Sequence, residues 1–494
     1  MNASGDGRNR WRFVDARMLC LYLSVAMVYF AAGGARLARY GDLSAFVGFG
    51  CFDPTICFAR DNASALPDRA IIFRSGGYDG QFYYYQAAEI AARIPIFARS
   101  EFFDASGSFT AHVDAPVFRR ARIGYPLLVS AFAMGGPRVL IAGMILLPLA
   151  LHLFAVALLA RRLRAQLYDS ERTTRRLVWP GLIVFALNPV SLFCFVYALA
   201  DGLALDLTML AVLCVLPASV FQNQATHLSH DFKRGDNRWR EGFAYVVGGM
   251  LLALAVLTKE HALAGAAGLG LAGVFAFWRS RRSVAGDSIE FVRRARVRAF
   301  GWICVAGFAA LALASWWWWI GFDPGLAAER GGWPFAGLAG YLFGGEVDAF
   351  FSGRTYLVGW LLVCVLIASG LVFFAGVASR IALGTLAASL ALASFATADE
   401  YWGNFANILR LFTPAFGALL FAGAAASTRA VSAQDDADNR ATNQWPRKLV
   451  RGGLWIGVLV TGALVFAILE SEITGRLLPV FEFRRGVFEV FDFF

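Results

Sequence analysis

Charge is scarce in this sequence: 16% of its 494 residues are Asp, Glu, Lys or Arg, against 58% hydrophobic. That balance excludes a soluble multidomain protein. Lysine is scarcer still, with only Lys233, Lys259 and Lys448 among 45 basic residues, so a lysine outside a basic loop is informative. The seven cysteines and five histidines are scattered, and no cysteine pair has the close spacing of a tetrahedral zinc site, which argues against a thiolate metal centre. Cys51 and Cys57 fall in the first long loop, where they pair if the loop faces an oxidising compartment and stay as two thiols otherwise. Fixed-period repeats are lacking too. The formal charge of +10, which in a soluble protein would suggest nucleic acid, is assigned to loops that orient helices, and no nucleic-acid partner is expected.

Apolar runs, by contrast, are abundant, and they recur near the ~20 residues that a membrane-spanning helix needs. Eleven candidate spans lie near 17–35, 138–160, 178–196, 200–221, 243–258, 262–278, 299–320, 355–376, 381–397, 411–428 and 453–470. With a cytoplasmic N-terminus, the inside segments hold Arg8–Arg17, Arg161–Arg176, Lys233–Arg240, Arg279–Arg298, Arg380 and Arg429–Arg451, the distribution that the positive-inside rule requires. Met1–Arg17 followed by apolar residues is also the outline of a signal peptide. Lacking a convincing cleavage site, it is expected to be an uncleaved first span. Tyr125–Gly135 is apolar but too short to cross, and it runs into Gly135-Gly136-Pro137, so it reads as a half-helix dipping in from the outer face.

The first outside loop, 36–137, holds the run Gly76-Gly77-Tyr78-Asp79-Gly80-Gln81-Phe82-Tyr83-Tyr84-Tyr85. Glycines around Asp79 allow a tight turn that presents its carboxylate. Tyr83, Ala87, Ile90 and Ile94 then recur at helical spacing, which predicts an amphipathic helix lying along the membrane surface with its tyrosines at headgroup level. Asp79 at its start reads either as a helix cap or as a catalytic carboxylate. Further on, Arg119, Arg120 and Arg122 precede the half-helix. Arg122 is the candidate for a phosphate, since guanidinium matches phosphate oxygens and a helix start adds positive dipole; Arg119 and Arg120 read as contacts to lipid headgroups.

The other outside turns are short, so their ionisable residues stand out. Thr258-Lys259-Glu260-His261 sits between two spans, and a plain Lys259–Glu260 pairing is its simplest reading. Asp201 and Asp206 open the fourth span five residues apart, too far round the helix to share a face. Asp399-Glu400-Tyr401-Trp402, with Asn404, Asn407 and Arg410, closes a later turn. Trp316–Trp319 read as the outer aromatic belt.

Taken together these motifs resemble the GT-C superfamily of membrane glycosyltransferases, which use polyprenyl-phosphate-linked sugars. The chain looks most like a bacterial subgroup described as cell-surface glycopolymer formation proteins, with Tyr-Asp-Gly-Gln-Phe-Tyr-Tyr at Tyr78–Tyr84 and Arg-x-x-Tyr-Pro-Leu-Leu at Arg122–Leu128. Weaker similarity extends to Asn188-Pro189, Asp201, Lys259-Glu260 and Asn404–Pro414. The resemblance implies an inverting enzyme with Asp79 as general base and Arg122, Lys259 and Arg410 on the phosphate. Tyr78, Gln81, Tyr125, Asp201, Glu260, Glu400 and Asn404 are expected to complete the substrate site. Many superfamily members carry two adjacent acids in this loop and this chain has Asp79 alone, so neither a metal nor another cofactor is expected.

The expected architecture is therefore an all-α polytopic membrane protein, GT-C-like, with about eleven spans. Residues 1–16 form a cytoplasmic N-terminus, 17–470 the transmembrane domain, 36–137 the loop with interfacial helix and half-helix, and 471–494 an extracytoplasmic tail. The expected location is a bacterial inner membrane, and the expected partners are a polyprenyl-phosphate sugar, the bilayer, and a glycan, lipid or protein acceptor. A flippase or transporter of lipid-linked saccharides and an O-antigen-type polymerase are the alternatives. The first should show paired halves with interrupted helices at the midplane, the second arginines in large later loops.

Overall fold

A computed structural model describes residues 16–51, 56–74, 77–94, 109–168, 172–216, 238–282, 289–322, 353–374, 376–395, 410, 413–428 and 444–474. The chain is an all-α polytopic membrane protein. Its first helix, α1 (Ala16–Tyr40), is followed by a paired segment in which β1 (Phe49–Gly50) runs parallel to β2 (Ile72–Phe73). Between these strands lies the short α2 (Phe58–Asp61), and Cys51 and Cys57 face each other and are joined as a disulfide. Then come α3 (Asp79–Arg93), α4 (Pro116–Arg120) and α5 (Gly124–Ser130), the last continued by a tighter turn to Gly135.

The long helices follow: α6 (Pro137–Tyr168), α7 (Arg172–Ala186), α8 (Pro189–Val196), α9 (Asp201–Val215), α10 (Arg238–Thr258), α11 (Leu263–Arg282) and α12 (Ile289–Ile320). After them run α13 (Gly353–Leu371), α14 (Val377–Phe395), α15 (Thr413–Thr428) and α16 (Gln444–Thr474). Seven stretches among the described residues are long and apolar enough to cross a membrane, and shorter apolar helices accompany them. Over the described residues each expected span except the third falls mainly on one helix. The third is broken, because Pro189 at a helix start cannot continue the ladder of α7 and the Asn188 side chain instead caps α8 by accepting from Val190 N at 2.9 Å.

Packing closes on itself. α9 lies on α10, α10 on α12, α12 on α11, α11 on α14, α14 on α15, α15 on α7, α7 on α6, and α6 returns to α9. α16 packs on α7 and α13, and α1 packs on α16. The Gly124–Gly135 half-helix is present and stops at Gly136 (φ 88°), ahead of Pro137. α3 begins at Asp79, as expected, and is packed against protein. Tyr83, Tyr84 and Tyr85 are fully buried, as is nearly every other residue of the helix. α3 is thus enclosed by protein over nearly its whole length. Its periodicity gave no warning, because alanines and tyrosines pack against protein as readily as they meet headgroups.

α16 runs on to Thr474, with Ser471 and Glu472 buried. Residues 475–494 lie outside the described residues. At the end of α12, Trp318 and Trp319 are exposed as a belt would be, while Trp316 Nε1 donates to Arg120 O at 2.8 Å.

Candidate active site

The turn that delivers Asp79 depends on two glycines. Gly77 sits at φ 73°, in the left-handed region, where a side chain would also strike Gln81. Gly80 presses the first turn of α3 onto neighbouring backbone: a Cβ there would come within 2.8 Å of both Val47 O and Tyr197 O. Gln81 Oε1 accepts from Gly50 N at 3.1 Å and ties the turn to β1. Asp79 is the first residue of α3, where the helix dipole favours a carboxylate, and the side chain of the N-cap residue Tyr78 makes no capping bond. Arg119 Nη1 donates to one carboxylate oxygen at 2.7 Å and Arg410 Nη2 to the other at 2.5 Å. Burial alone would raise the Asp79 pKa. The guanidiniums of Arg410 and Arg119, with Lys259 and Arg122 beyond them, outweigh burial and hold it well below the usual carboxylate range.

Arg410 bridges two acids, since its Nε donates to Asp201 Oδ2 at 2.8 Å. Asp201 opens α9, and its other oxygen lies 3.6 Å from Lys259 Nζ and 3.7 Å from His261 Nδ1. Arg122 forms a two-pronged pair with Glu260, at 3.0 and 2.6 Å, and stacks over Phe118. The simple Lys259–Glu260 pairing does not form: Lys259 turns to Asp201 and Glu260 to Arg122, as successive residues point in different directions. What brings α5 and its arginine to the end of α10 is Gly124, where a Cβ would come within 2.4 Å of Thr258 Oγ1. Lys259 lies between spans and is 3% exposed. Burial, then Arg122 and Arg410, lower its pKa to about 8 against the pull of Asp201 and Glu260.

Beside this cluster runs a narrow apolar slot between α9, α11, α14 and α15, inside the ring of helices. Asp201, Lys259 and His261 stand at its charged part, and Leu205, Met209, Ile381, Gly417 and Phe421 line its length. The arrangement offers cations to an anionic head and hydrocarbon walls to a chain attached to that head.

Of the expected site residues, the structure brings together Asp79, Asp201, Lys259, Glu260, Arg122 and Arg410. Tyr78 stacks on Tyr197 at 4.6 Å, and Tyr125 donates to Met144 O at 2.7 Å. With Gln81 on β1, these three hold the framework. Glu400 and Asn404 lie outside the described residues.

Three neighbours escaped the sequence reading. Arg119, read as a headgroup contact, lies on Asp79, is gripped by Asp114 at 2.6 and 2.9 Å, and stacks over Phe82. His261 belongs to a noted cluster but pairs with an aspartate sixty residues away. Tyr83, buried and with no hydrogen-bond partner for its hydroxyl among the described residues, lies within electrostatic reach of Arg122, Asp79, Asp201 and Arg410. Its position four residues after Asp79, one helical turn on, was the available signal.

No family model and no curated protein matches the chain. Among solved structures it is similar to the Archaeoglobus fulgidus oligosaccharyltransferase, crystallised in complex with Zn and sulfate, at 13% identity and a TM-score of 0.43. The match covers 90% of this chain and 53% of that protein, so the chain spans about half its length. A likeness this slight transfers neither fold family nor function.

Proposed function

We propose that this chain is a GT-C-type inverting glycosyltransferase that moves a sugar from a polyprenyl-phosphate-linked donor to a hydroxyl of a glycan, lipid or protein acceptor in the cell envelope. The observation that carries this reading is the juxtaposition of a carboxylate, a set of shared cations and an apolar slot at one end of a membrane bundle. A phosphate joined to a long hydrocarbon chain suits the cations and the slot at once, and a carboxylate beside the phosphate suits an acceptor hydroxyl.

In the step, the acceptor oxygen forms a bond to the anomeric carbon and its proton passes to Asp79. The carbon–oxygen bond to phosphate breaks, with its electron pair leaving on the polyprenyl phosphate. Arg122, Lys259 and Arg410 stabilise the charge that develops there. Both Asp79 oxygens carry guanidiniums in the resting arrangement, which keeps the carboxylate ionised but blocks it. Donor phosphate draws Arg410 toward itself, and the freed oxygen becomes the stronger base. Because the acids of the cluster are already matched by cations of the chain, the reading gives charge neutralisation to those side chains and not to a metal. On this reading the site faces the extracytoplasmic side of a bacterial inner membrane and the N-terminus is cytoplasmic, the orientation that the loop charge favours.

The test is Asp79→Asn in a reconstituted assay with a polyprenyl-phosphate sugar and an acceptor extract. Transfer should fall roughly 10²–10⁴-fold, with donor binding and thermal midpoint preserved. A folded variant transferring at the wild-type rate removes Asp79 as the base. Movement of lipid-linked saccharide across the bilayer without any transfer supports the transporter reading instead.

A further inference from the structure

At the other end of α11 lies a second feature that glycosyl transfer does not use. From the charged turn at its start, α11 runs about 24 Å to Arg279, at ~1.5 Å per residue. There a groove of about 510 Å³ opens between α11 and α14, within the roughly 300–1,000 Å³ of small-ligand sites. The two backbones touch higher up, where a Cβ on Gly384 would come within 3.0 Å of Gly268 Cα. The walls of the groove include Leu271, Phe275 and Trp278, all exposed at their outer edges.

Arg380 lies in the groove with its guanidinium 3.8 Å from the centre of the Phe275 ring, and Arg279, exposed, follows the groove-lining Trp278 on α11. Among the described residues no carboxylate pairs with either arginine. Two like charges beside an apolar trough, one held against an aromatic face, are stabilised by an anion and not by one another. The indole of Trp278 stands beside them, a side chain that favours the depth where headgroups meet hydrocarbon.

We infer that this groove binds one anionic phospholipid of the leaflet opposite the Asp79 cluster, with its phosphate between Arg380 and Arg279 and an acyl chain along Leu271 and Phe275. A zwitterionic lipid has a cationic group of its own near the phosphate and fits the arginine pair less well. Headgroup charge, not chain length, sets the selectivity.

The experiment is native mass spectrometry of the full-length protein, titrated in detergent with phosphatidylglycerol or phosphatidylcholine of identical chains. Wild-type protein should retain one phosphatidylglycerol in preference to phosphatidylcholine. Arg380→Gln and Arg279→Gln should each reduce that preference roughly 5-fold, while Arg298→Gln, which loses an exposed contact to Glu241, should leave it unchanged. Should Arg380→Gln fail to fold, the exposed Arg279 still reports. Equal retention of the two lipids by wild-type protein overturns the proposal, as does undiminished preference in Arg279→Gln.

Discussion

Two buried ionic networks lie near the same end of the bundle, and they are built differently. In the first, Arg36 of α1 meets Glu472 of α16, both nitrogen–oxygen contacts being 3.3 Å. The remaining guanidinium nitrogens donate to Ala45 O at 3.1 and 2.8 Å, and Tyr197 donates to Glu472 at 3.0 Å. Aromatic rings of Tyr40, Phe46, Phe73 and Tyr197 surround the guanidinium, and the two side chains are 0% and 1% exposed. Each group there has its partners, and water is excluded. In the second network Arg410 divides itself between Asp79 and Asp201, Asp201 between Arg410, Lys259 and His261, and Asp79 remains 19% exposed. A saturated, sealed pair fixes one arrangement. A set of shared charges beside a narrow apolar slot can exchange a protein anion for a substrate anion at low cost, since the cations remain paired before and after.

That contrast can be broken or sharpened by substitution. The largest effect on chemistry after loss of Asp79 itself is expected from Arg410→Gln, which takes one donor from each of two acids. Transfer should drop about 10²–10³-fold, as for removal of a charge-stabilising donor, with a thermal midpoint near wild type because Arg119 and Lys259 still hold the acids. A large fall in midpoint without loss of turnover would make Arg410 a clamp like Arg36. Arg36→Gln should do the reverse, costing about 3–5 kcal/mol of stability by leaving Glu472 buried and uncompensated, while the molecules that remain folded turn over normally. Chemical denaturation alongside specific activity per folded molecule separates the two.

A smaller effect follows from Lys259. Its pKa, lowered to about 8, means that the ammonium is present below pH 8 and lost as pH rises through it. Donor phosphate then loses a cation, so kcat/KM should decline above pH 8 by up to about tenfold per unit. In Lys259→Arg the decline should disappear, because guanidinium stays charged. An unchanged alkaline limb in that variant would assign it to another group. Smallest of all, Arg298→Gln, a pair 37% and 45% exposed, should shift stability by no more than about 1 kcal/mol and leave transfer untouched.

Much of this was legible along the chain. Apolar runs give the helices and Gly136-Pro137 gives one break, because hydropathy and backbone sterics act within a few residues, whereas the break at Pro189, inside the 178–196 run, is seen only in the fold. Asp79 stands out through Gly77 and Gly80, while the burial of the helix behind it does not: a run of tyrosines and alanines has the same period whether its partner is a headgroup or another helix. Arg119 was assigned to lipid for a related reason. Its partners, Asp79 forty residues before it and the Phe82 ring, are invisible to spacing. Glu472, which no motif singles out, locks α16 to α1 across 436 residues.

The sequence by itself determined the solvent of this protein, the rough positions of its helices and the small set of charges that had to be matched somewhere, since scarcity of charge in an apolar chain makes each remaining one costly to leave alone. Only the tertiary structure decided the matching. Arg410 came to join Asp79 with Asp201, Arg122 to take Glu260, and Arg36 to be sealed with Glu472, because partner choice depends on which helices pack side by side, and close approaches at Gly80 and Gly124 settle that in three dimensions.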